Sequence, residues 1–209
     1  MHKSNLFLVS APSGTGKSTL INSVLDKAAQ FNFPLELSIS YTTRIPRVGE
    51  TDTNHYFFVS PEEFIAKKEA NFFLECAEVH GNWYGTSADF VKSKLDAGIS
   101  LILEIDVQGF RLIDDLAFNY ESIFILPPSM QALEDRIKQR GDKDLSAINL
   151  RLENAKKELM CASEYKNLVI NDIFDEASEV LYQIIAKETP VNEQNRQELQ
   201  LFLAQLLSS

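Results

Sequence analysis

Residues 11–19 contain the stretch that decides the fold, and they read Ala11-Pro12-Ser13-Gly14-Thr15-Gly16-Lys17-Ser18-Thr19. The apolar run before this stretch, residues 6–10, has the length and composition of a buried strand. The residues after it repeat at helical spacing and place Leu20, Ile21 and Val24 on one face. The stretch therefore joins a strand to a helix through a glycine-rich turn. It matches the pattern GxxxxGK[ST] except that Ala11 stands at the first glycine.

This turn has the chemistry of a phosphate-binding loop. Gly14 and Gly16 allow backbone conformations that turn successive N–H groups inward around phosphate oxygens. Lys17 can then reach the terminal phosphates of a nucleotide, Ser18 can ligate Mg²⁺, and the helix N-terminus adds partial positive charge. We therefore predict that residues 11–19 bind a nucleoside triphosphate. The alternative is a glycine-rich turn without a ligand, and the flanking strand and helix argue against it.

Composition excludes several classes of protein. The chain has 209 residues, 20 Lys and Arg against 30 Asp and Glu, and a formal net charge of −10. Such a length favours one domain, and the acidic surplus is a poor match to nucleic acid or an anionic membrane. Cys76 and Cys161 lie too far apart for a disulfide framework or a zinc motif, and the apolar runs are too short to span a bilayer. We expect a cytoplasmic protein that is not exported.

Strand and helix patterns alternate along the rest of the chain. Further short apolar strands are predicted at residues 101–105, 122–126 and 168–170, each followed by a helical pattern. This alternation predicts an α/β fold with a parallel central sheet. A β-rich segment interrupts it, with a helix that Ser60 caps and Pro61 begins. A polar helical segment follows residue 129, and a last helix is expected near residues 193–207, packed on the core or forming a partner surface.

A second candidate site follows the strand at residues 101–105, where Glu104 and Asp106 stand at the strand end. The carboxyl ends of parallel strands line the ligand crevice of an open α/β sheet, so we expect these acids near the phosphate loop. They could order magnesium through water, or hold a substrate base or an arginine. Surface acids at a strand end are the alternative.

The phosphate loop is one of several sequence blocks that together cover essentially the whole chain. They are APSGTGKST (11–19), SYTTRIPRVGE (40–50), HYFFVS (55–60), FLECAEVHGNWYGTS (73–87), LEIDVQG (103–109), IFILPPS (123–129), RIKQRG (136–141) and VIND (169–172). Through these blocks the chain resembles the guanylate kinase family of P-loop nucleoside monophosphate kinases. The resemblance implies one domain with the three-layer P-loop kinase fold. Its core would be residues 1–38, 88–128 and 162–209, with a GMP-binding insert at 39–87 and a helical lid at 129–161.

The resemblance also implies the acceptor site. Five residues would bind the GMP phosphate: Ser40, Arg44, Arg47, Tyr56 and Tyr84. Glu75 and Thr86, with Glu104 or Asp106, would read the guanine base. A carboxylate accepts from the N1–H and N2–H₂ donors of guanine, whereas the lone pair on N1 of adenine would repel it. If Glu75 faces the pocket, the site is therefore expected to bind guanine in preference to adenine.

The remaining implications concern ATP. Arg136, Arg140 and Arg151 match lid arginines that close over ATP, with Arg140 and Arg151 catalytic beside Lys17 and Arg44. Asn171 matches a residue near the adenine. The expected reaction moves the γ-phosphoryl of ATP directly to GMP, and to dGMP as well, in purine nucleotide metabolism, with Mg²⁺ held through Ser18 and, through water, by Glu104 or Asp106. The sequence leaves open whether the protein is a monomer or a homo-oligomer.

Three departures from the family pattern are visible: Ala11 in the loop, Glu104 where aspartate is frequent, and the lid segment at residues 142–149. Two other functions stay open at this point. One is a guanylate-kinase-like binding module that holds a peptide in the GMP pocket, which the intact Gly14, Gly16, Lys17 and Ser18 argue against. The other is a related P-loop kinase for another phosphorylated acceptor, which Glu75 and Thr86 argue against.

Overall fold

The fold is that of a computed structural model, which describes residues 4–47, 49–53, 56–79, 81–113, 119–139, 145–187 and 193–208. Its strands are β1 (Leu6–Ser10), β2 (Leu35–Leu37), β3 (Tyr41–Thr42), β4 (Phe57–Phe58), β5 (Phe73–Val79), β6 (Asn82–Ser87), β7 (Ser100–Glu104), β8 (Tyr120–Leu126) and β9 (Asn167–Ile170). Its α-helices are α1 (Lys17–Gln30), α2 (Pro61–Glu69), α3 (Ala88–Asp96), α4 (Val107–Leu112), α5 (Met130–Gln139), α6 (Leu145–Leu159), α7 (Phe174–Lys187) and α8 (Glu193–Ser208).

The strands form two sheets. The five-stranded sheet has the order β2-β7-β1-β8-β9, in which β2 pairs parallel with β7 and β8 pairs parallel with β9. The four-stranded sheet has the order β4-β3-β6-β5 and is mainly antiparallel. The predicted α/β fold with a parallel central sheet is confirmed, and so are the strand at Leu6–Ser10 and the helix at Lys17–Gln30.

The chain divides into two compact units. One contains Met1–Leu8 and Pro34–Tyr120, and the other contains Val9–Phe33 and Glu121–Ser209. The division passes through β1, so both units use part of this strand. No helix in the described ranges is long and apolar enough to cross a membrane.

The first unit has an apolar core beneath β7 and an aromatic cluster in the small sheet. Leu6, Leu101 and Leu103 are completely or almost completely buried and pack with Val91 of α3. In the small sheet, Phe64 of α2 is fully buried and stacks on Phe73 with 4.4 Å between ring centroids. Helix α2 begins as predicted: the Ser60 hydroxyl accepts from the backbone N–H of Glu63, and Pro61 is the first helical residue.

In the second unit, α1 contacts α7 through Ser23 with Ser178 and Lys27 with Glu179, and the apolar face of α1 that the sequence predicts is buried. Leu20, Ile21 and Val24 have no exposed surface. Helix α8 begins at the predicted residue and buries Leu203 and Leu206, so its apolar face does pack on the protein. Burial of these side chains supplies most of the stability of such helices, because isolated helices of this length are marginal in water.

Candidate active site

The phosphate loop has the backbone geometry that its two glycines predict. Gly14 has φ 93° and Gly16 has φ 94°, both in the left-handed region that favours glycine. Within the loop, the N–H of Thr15 donates to the carbonyl of Pro12 at 3.2 Å. Gly16 precedes the first turn of α1, so Lys17 and Ser18 stand at the helix N-terminus. This arrangement gives an anion both backbone donors and the positive end of a helix dipole.

Two side chains hold the loop from elements far along the chain. The amide Nδ2 of Asn171, just after β9, donates to the carbonyl of Thr15 at 2.7 Å. The Nη1 atom of Arg136 on α5 donates to the same carbonyl at 3.2 Å, and its Nη2 atom donates to the carbonyl of Asn171 at 3.0 Å. Asn171 is buried. The peptide between Thr15 and Gly16 is thus fixed by two donors, which orients the following N–H groups.

The space around the loop is correspondingly tight. A Cβ atom at position 16 would lie 2.6 Å from Nδ2 of Asn171, and one at position 14 would lie 3.0 Å from Ile137 of α5. Both glycines are therefore required twice over, by their positive φ and by the close approach of neighbouring side chains.

A buried carboxylate and hydroxyl form the centre of the other candidate site, which lies in the first unit. Glu75 on β5 pairs with Thr86 on β6 across the antiparallel ladder, just after an irregularity that follows Phe73. The Thr86 hydroxyl donates to Oε1 of Glu75 at 2.7 Å. The Ser40 hydroxyl lies 3.5 Å from that of Thr86. Three polar side chains from three chain segments therefore meet in one place.

Burial changes the acidity of this carboxyl. Glu75 is 7% exposed, and this burial raises its pKa from 4.5 to about 7. The nearby carboxylate of Asp106 raises it further, whereas the hydrogen bond from Thr86 opposes the shift. A carboxyl with such a pKa sits poised between its charged and neutral forms, which is characteristic of functional sites.

Arg44 lies beside this pair of strands and is surrounded by aromatic and acidic side chains. Its Nη2 atom donates to Glu50 Oε1 at 2.9 Å, and its guanidinium lies 5.4 Å from the ring centre of Tyr56. The Tyr56 and Tyr84 rings meet edge to face at 5.9 Å. The bond to Glu50 raises the pKa of Arg44, with a contribution from Tyr84, and in turn lowers the pKa of Glu50. Arg47 joins the group, because its backbone N–H donates to Oε2 of Glu50 at 2.8 Å.

The two acids after β7 belong to the same unit and have different surroundings. Asp106 caps α4, since its Oδ1 atom accepts from the backbone N–H of Gly109 at 2.8 Å. Glu104 acts on Tyr56, whose pKa is raised by burial and then by the negative charge of Glu104. Asp106 thus stands near Glu75, and Glu104 stands near Tyr56.

A family model described as guanylate kinase matches residues 3–188. The chain belongs to the guanylate kinase family. A guanylate kinase of Hahella chejuensis is 46% identical over 190 residues, which are 90% of this chain and 88% of the relative. One of Paraburkholderia xenovorans is 44% identical over 202 residues, which are 95% of this chain and 87% of the relative.

A solved structure agrees with this family assignment. The crystal structure of guanylate kinase from Anaplasma phagocytophilum has a TM-score of 0.72 and 29% sequence identity, and it covers 90% of this chain and 87% of its own. The α/β architecture with a parallel central sheet is thus that of a guanylate kinase, the P-loop kinase fold expected from the sequence.

Within this guanylate kinase fold, the residues predicted for the acceptor are linked by contacts. Their contacts form two groups in the first unit. One group contains Ser40, Thr86, Glu75 and Asp106. The other contains Arg44, Tyr56, Tyr84 and Glu104, with Arg47 joined to Arg44 through Glu50. The residues predicted for ATP lie in the second unit, where Arg136 and Asn171 contact the loop directly. Arg151 is exposed on α6, and Arg140 lies outside the described residues. Residues 142–144 of the atypical segment 142–149 are also outside them, and residues 145–149 form the start of α6.

Two residues that contact the candidate acceptor site were not singled out from the sequence. Glu50 orders the Arg44 and Arg47 segment, and nothing in its loop sequence distinguishes it from a solvated acid. Gly109 lies against Glu75 in the first turn of α4. An isolated glycine inside a helical pattern is the signal that could have revealed it, because such a glycine often marks close packing.

Proposed function

We propose that this chain transfers the γ-phosphoryl group of ATP to GMP, and also to dGMP, giving ADP and GDP in purine nucleotide metabolism. The observation that carries the proposal is the buried Glu75–Thr86 pair, with the Thr86 hydroxyl 2.7 Å from the carboxylate. A carboxylate beside a hydroxyl complements the Watson–Crick edge of guanine, which offers two donors next to one acceptor. Adenine would leave these buried groups unpaired, at a large cost in binding.

The phosphate of GMP would be bound by the neighbouring cation and hydroxyls. Arg44 offers a planar fork of N–H donors, which binds phosphate bidentately, and Tyr56 and Tyr84 add hydroxyl donors. Glu50 Oε1 accepts from Nη2 of Arg44 at 2.9 Å. Glu50 therefore holds the guanidinium in place, and the dianionic phosphate competes with it for the same donors. Arg47 would add a second positive charge.

ATP would bind through residues 11–19 with its triphosphate at the N-terminus of α1. Lys17 would neutralise charge on the transferring group, and lid arginines at positions 140 and 151 would complete the clamp. Arg136, as a lid arginine, and Asn171, near the adenine, would also support ATP binding by holding the loop, since both donate to the carbonyl of Thr15. The transfer is direct and in line, so it needs no covalent enzyme intermediate.

Magnesium fits the oxygen donors of this loop. Ser18 is exposed at the start of α1, and the described residues contain no cluster of three or more His, Cys, Asp or Glu that could hold a metal. A single hydroxyl suits Mg²⁺, which keeps several waters and binds substrate phosphates rather than an all-protein cage. When bound, the ion would neutralise charge on the phosphate oxygens. Glu104 or Asp106 would support it through water.

The proposal includes a cytoplasmic location. Both cysteines are free thiols, Cys76 half-buried and Cys161 buried, as is usual in a reducing compartment. The proposed partners are the small-molecule substrates ATP and GMP, with no nucleic acid or membrane, and the proposal leaves both a monomer and a homo-oligomer open.

The test is an ADP-release assay with magnesium and ATP, and with GMP, dGMP, AMP, CMP and UMP as acceptors. We expect GMP to be the best acceptor and dGMP to be used. Faster turnover with AMP or UMP would overturn the acceptor assignment. Absence of turnover with every acceptor, combined with measurable GMP binding, would instead support a binding module.

A further inference from the structure

Gly109 lies directly against the carboxylate of Glu75. It is buried in the first turn of α4, and its backbone N–H donates to Oδ1 of Asp106 at 2.8 Å. A Cβ atom at this position would lie 2.9 Å from Oε2 of Glu75 and 3.3 Å from Oδ1 of Asp106. The first separation is shorter than a carbon and an oxygen can ordinarily approach, so a side chain here would force the Glu75 carboxylate to move.

The backbone does not require glycine at this position. Among the residues that the structure describes, the glycines with a positive φ are Gly14, Gly16, Gly49, Gly81 and Gly98, and Gly109 is not one of them. In a helix, alanine is preferred to glycine because it loses less backbone entropy on folding. The fold alone would therefore favour alanine at position 109.

The Glu75 carboxylate cannot move away from Gly109 without disturbing its other contacts. Its other oxygen, Oε1, accepts from the Thr86 hydroxyl at 2.7 Å, and Glu75 itself is buried. A displacement caused at Oε2 would therefore be transmitted to the whole carboxylate group, which would rotate away from Thr86 or shift along the strand.

We propose that Gly109 is a positioning residue for guanine recognition, whose missing side chain leaves the space that the Glu75 carboxylate occupies. The inference rests on the proposed function, in which Glu75 accepts from N1–H and N2–H₂ of guanine. Gly109 acts through Glu75 and does not itself need to touch the nucleotide. It would therefore govern the choice between guanine and bases that lack one of these donors.

The first test compares Gly109→Ala with the unmodified protein. We expect the KM for GMP to rise by about tenfold to a hundredfold, as a small misplacement of a binding group commonly costs. The KM for ATP would not rise, and the thermal midpoint of unfolding would not fall. The variant would also distinguish GMP less well from IMP, which lacks the N2 amino group. The ratio of the KM for IMP to the KM for GMP would therefore fall. Leu112→Ala, at an exposed position of the same helix, is the matched control and would leave all these values unchanged.

The second test is a double-mutant cycle with Glu75→Gln. If Gly109 acts through the carboxylate, Gly109→Ala would add little further loss of GMP affinity in the Glu75→Gln background. Full additivity would overturn the inference, and so would an unchanged KM for GMP in the single variant. A parallel loss of ATP and GMP affinity, or a lowered thermal midpoint, would assign Gly109 to the fold and also overturn it. The proposed function is tested separately by GMP-dependent ADP release from the unmodified protein.

Discussion

The side-chain amide of Asn171 donates to the backbone carbonyl of Thr15 at 2.7 Å, across 156 positions of the sequence. This bond ties the end of β9 to the phosphate loop, and Arg136 donates to the same carbonyl. Because the carbonyl points at these donors, the peptide N–H that follows it points the opposite way. The orientation of a loop donor is therefore set by a residue outside the loop.

Asn171→Ala should weaken ATP binding specifically. Losing a buried hydrogen bond typically costs about 1–3 kcal/mol, and about 1.4 kcal/mol is a factor of ten in affinity. We expect the KM for ATP to rise by about tenfold, with the KM for GMP unchanged, in steady-state assays. Asn167→Ala is the matched control: Asn167 is another buried asparagine, at the start of β9, but its amide donates to Ser122 and Glu121. Equal effects of both variants on ATP would contradict the prediction.

Arg44→Lys should weaken GMP binding although the charge is kept. A lysine ammonium cannot make the paired donor contacts of a guanidinium, nor stack in the same way beside Tyr56. We expect about a tenfold rise in the KM for GMP, which corresponds to a loss of about 1.4 kcal/mol when the paired guanidinium contacts to phosphate are replaced by a single ammonium contact. The KM for ATP should not change. Arg111→Lys, an exposed position on α4, serves as the control. An unchanged KM for GMP would exclude Arg44 from the phosphate site.

The affinity for guanosine should fall as the pH is lowered through about 7. Burial raises the pKa of Glu75 to about 7, and only its charged form can accept from both guanine donors. Binding thus requires loss of the proton, and well below the pKa the affinity should drop by about tenfold per pH unit. Above the pKa it should level off.

Guanosine is the appropriate probe for this titration because it has no phosphate that titrates in the same range. Calorimetric titrations from about pH 5.5 to about pH 8.5 would measure the affinity for guanosine at each pH. Glu75→Gln should bind weakly with no comparable pH dependence. A flat profile for the unmodified protein would show that the Glu75 carboxylate does not contact guanine.

Lys17→Ala should abolish phosphoryl transfer while leaving GMP affinity largely intact. A positioned cation that stabilises developing charge is typically worth about a hundredfold or more in kcat. Transfer would be followed by ADP release, and GMP binding by calorimetry. Lys27→Ala, in the last turn of the same helix and ion-paired with Glu179, is the control. Equal loss of GMP binding and transfer in Lys17→Ala would contradict separate sites for the two nucleotides.

Local features could be predicted because they depend on neighbouring residues. The strand Leu6–Ser10, the positive φ of Gly14 and Gly16, and the cap of α2 by Ser60 all follow from contacts within a few positions. Backbone propensity and hydrophobic periodicity act over the same short range. The family blocks added expected roles for residues such as Arg44 and Glu75, which no local pattern would reveal.

The positions of the polar groups in the site depend on register and long-range packing. Glu75 faces Thr86 because the β5–β6 pairing is irregular after Phe73, and a one-residue slip would turn its side chain to the opposite face. Gly109 meets Glu75, and Asn171 meets Thr15, only after elements distant in sequence have packed together. The sequence by itself thus determined the α/β fold, the phosphate loop and the family. The tertiary structure alone decided which groups orient that loop and which residue leaves room for the Glu75 carboxylate, because hydrogen bonds and steric contacts depend on separations in space.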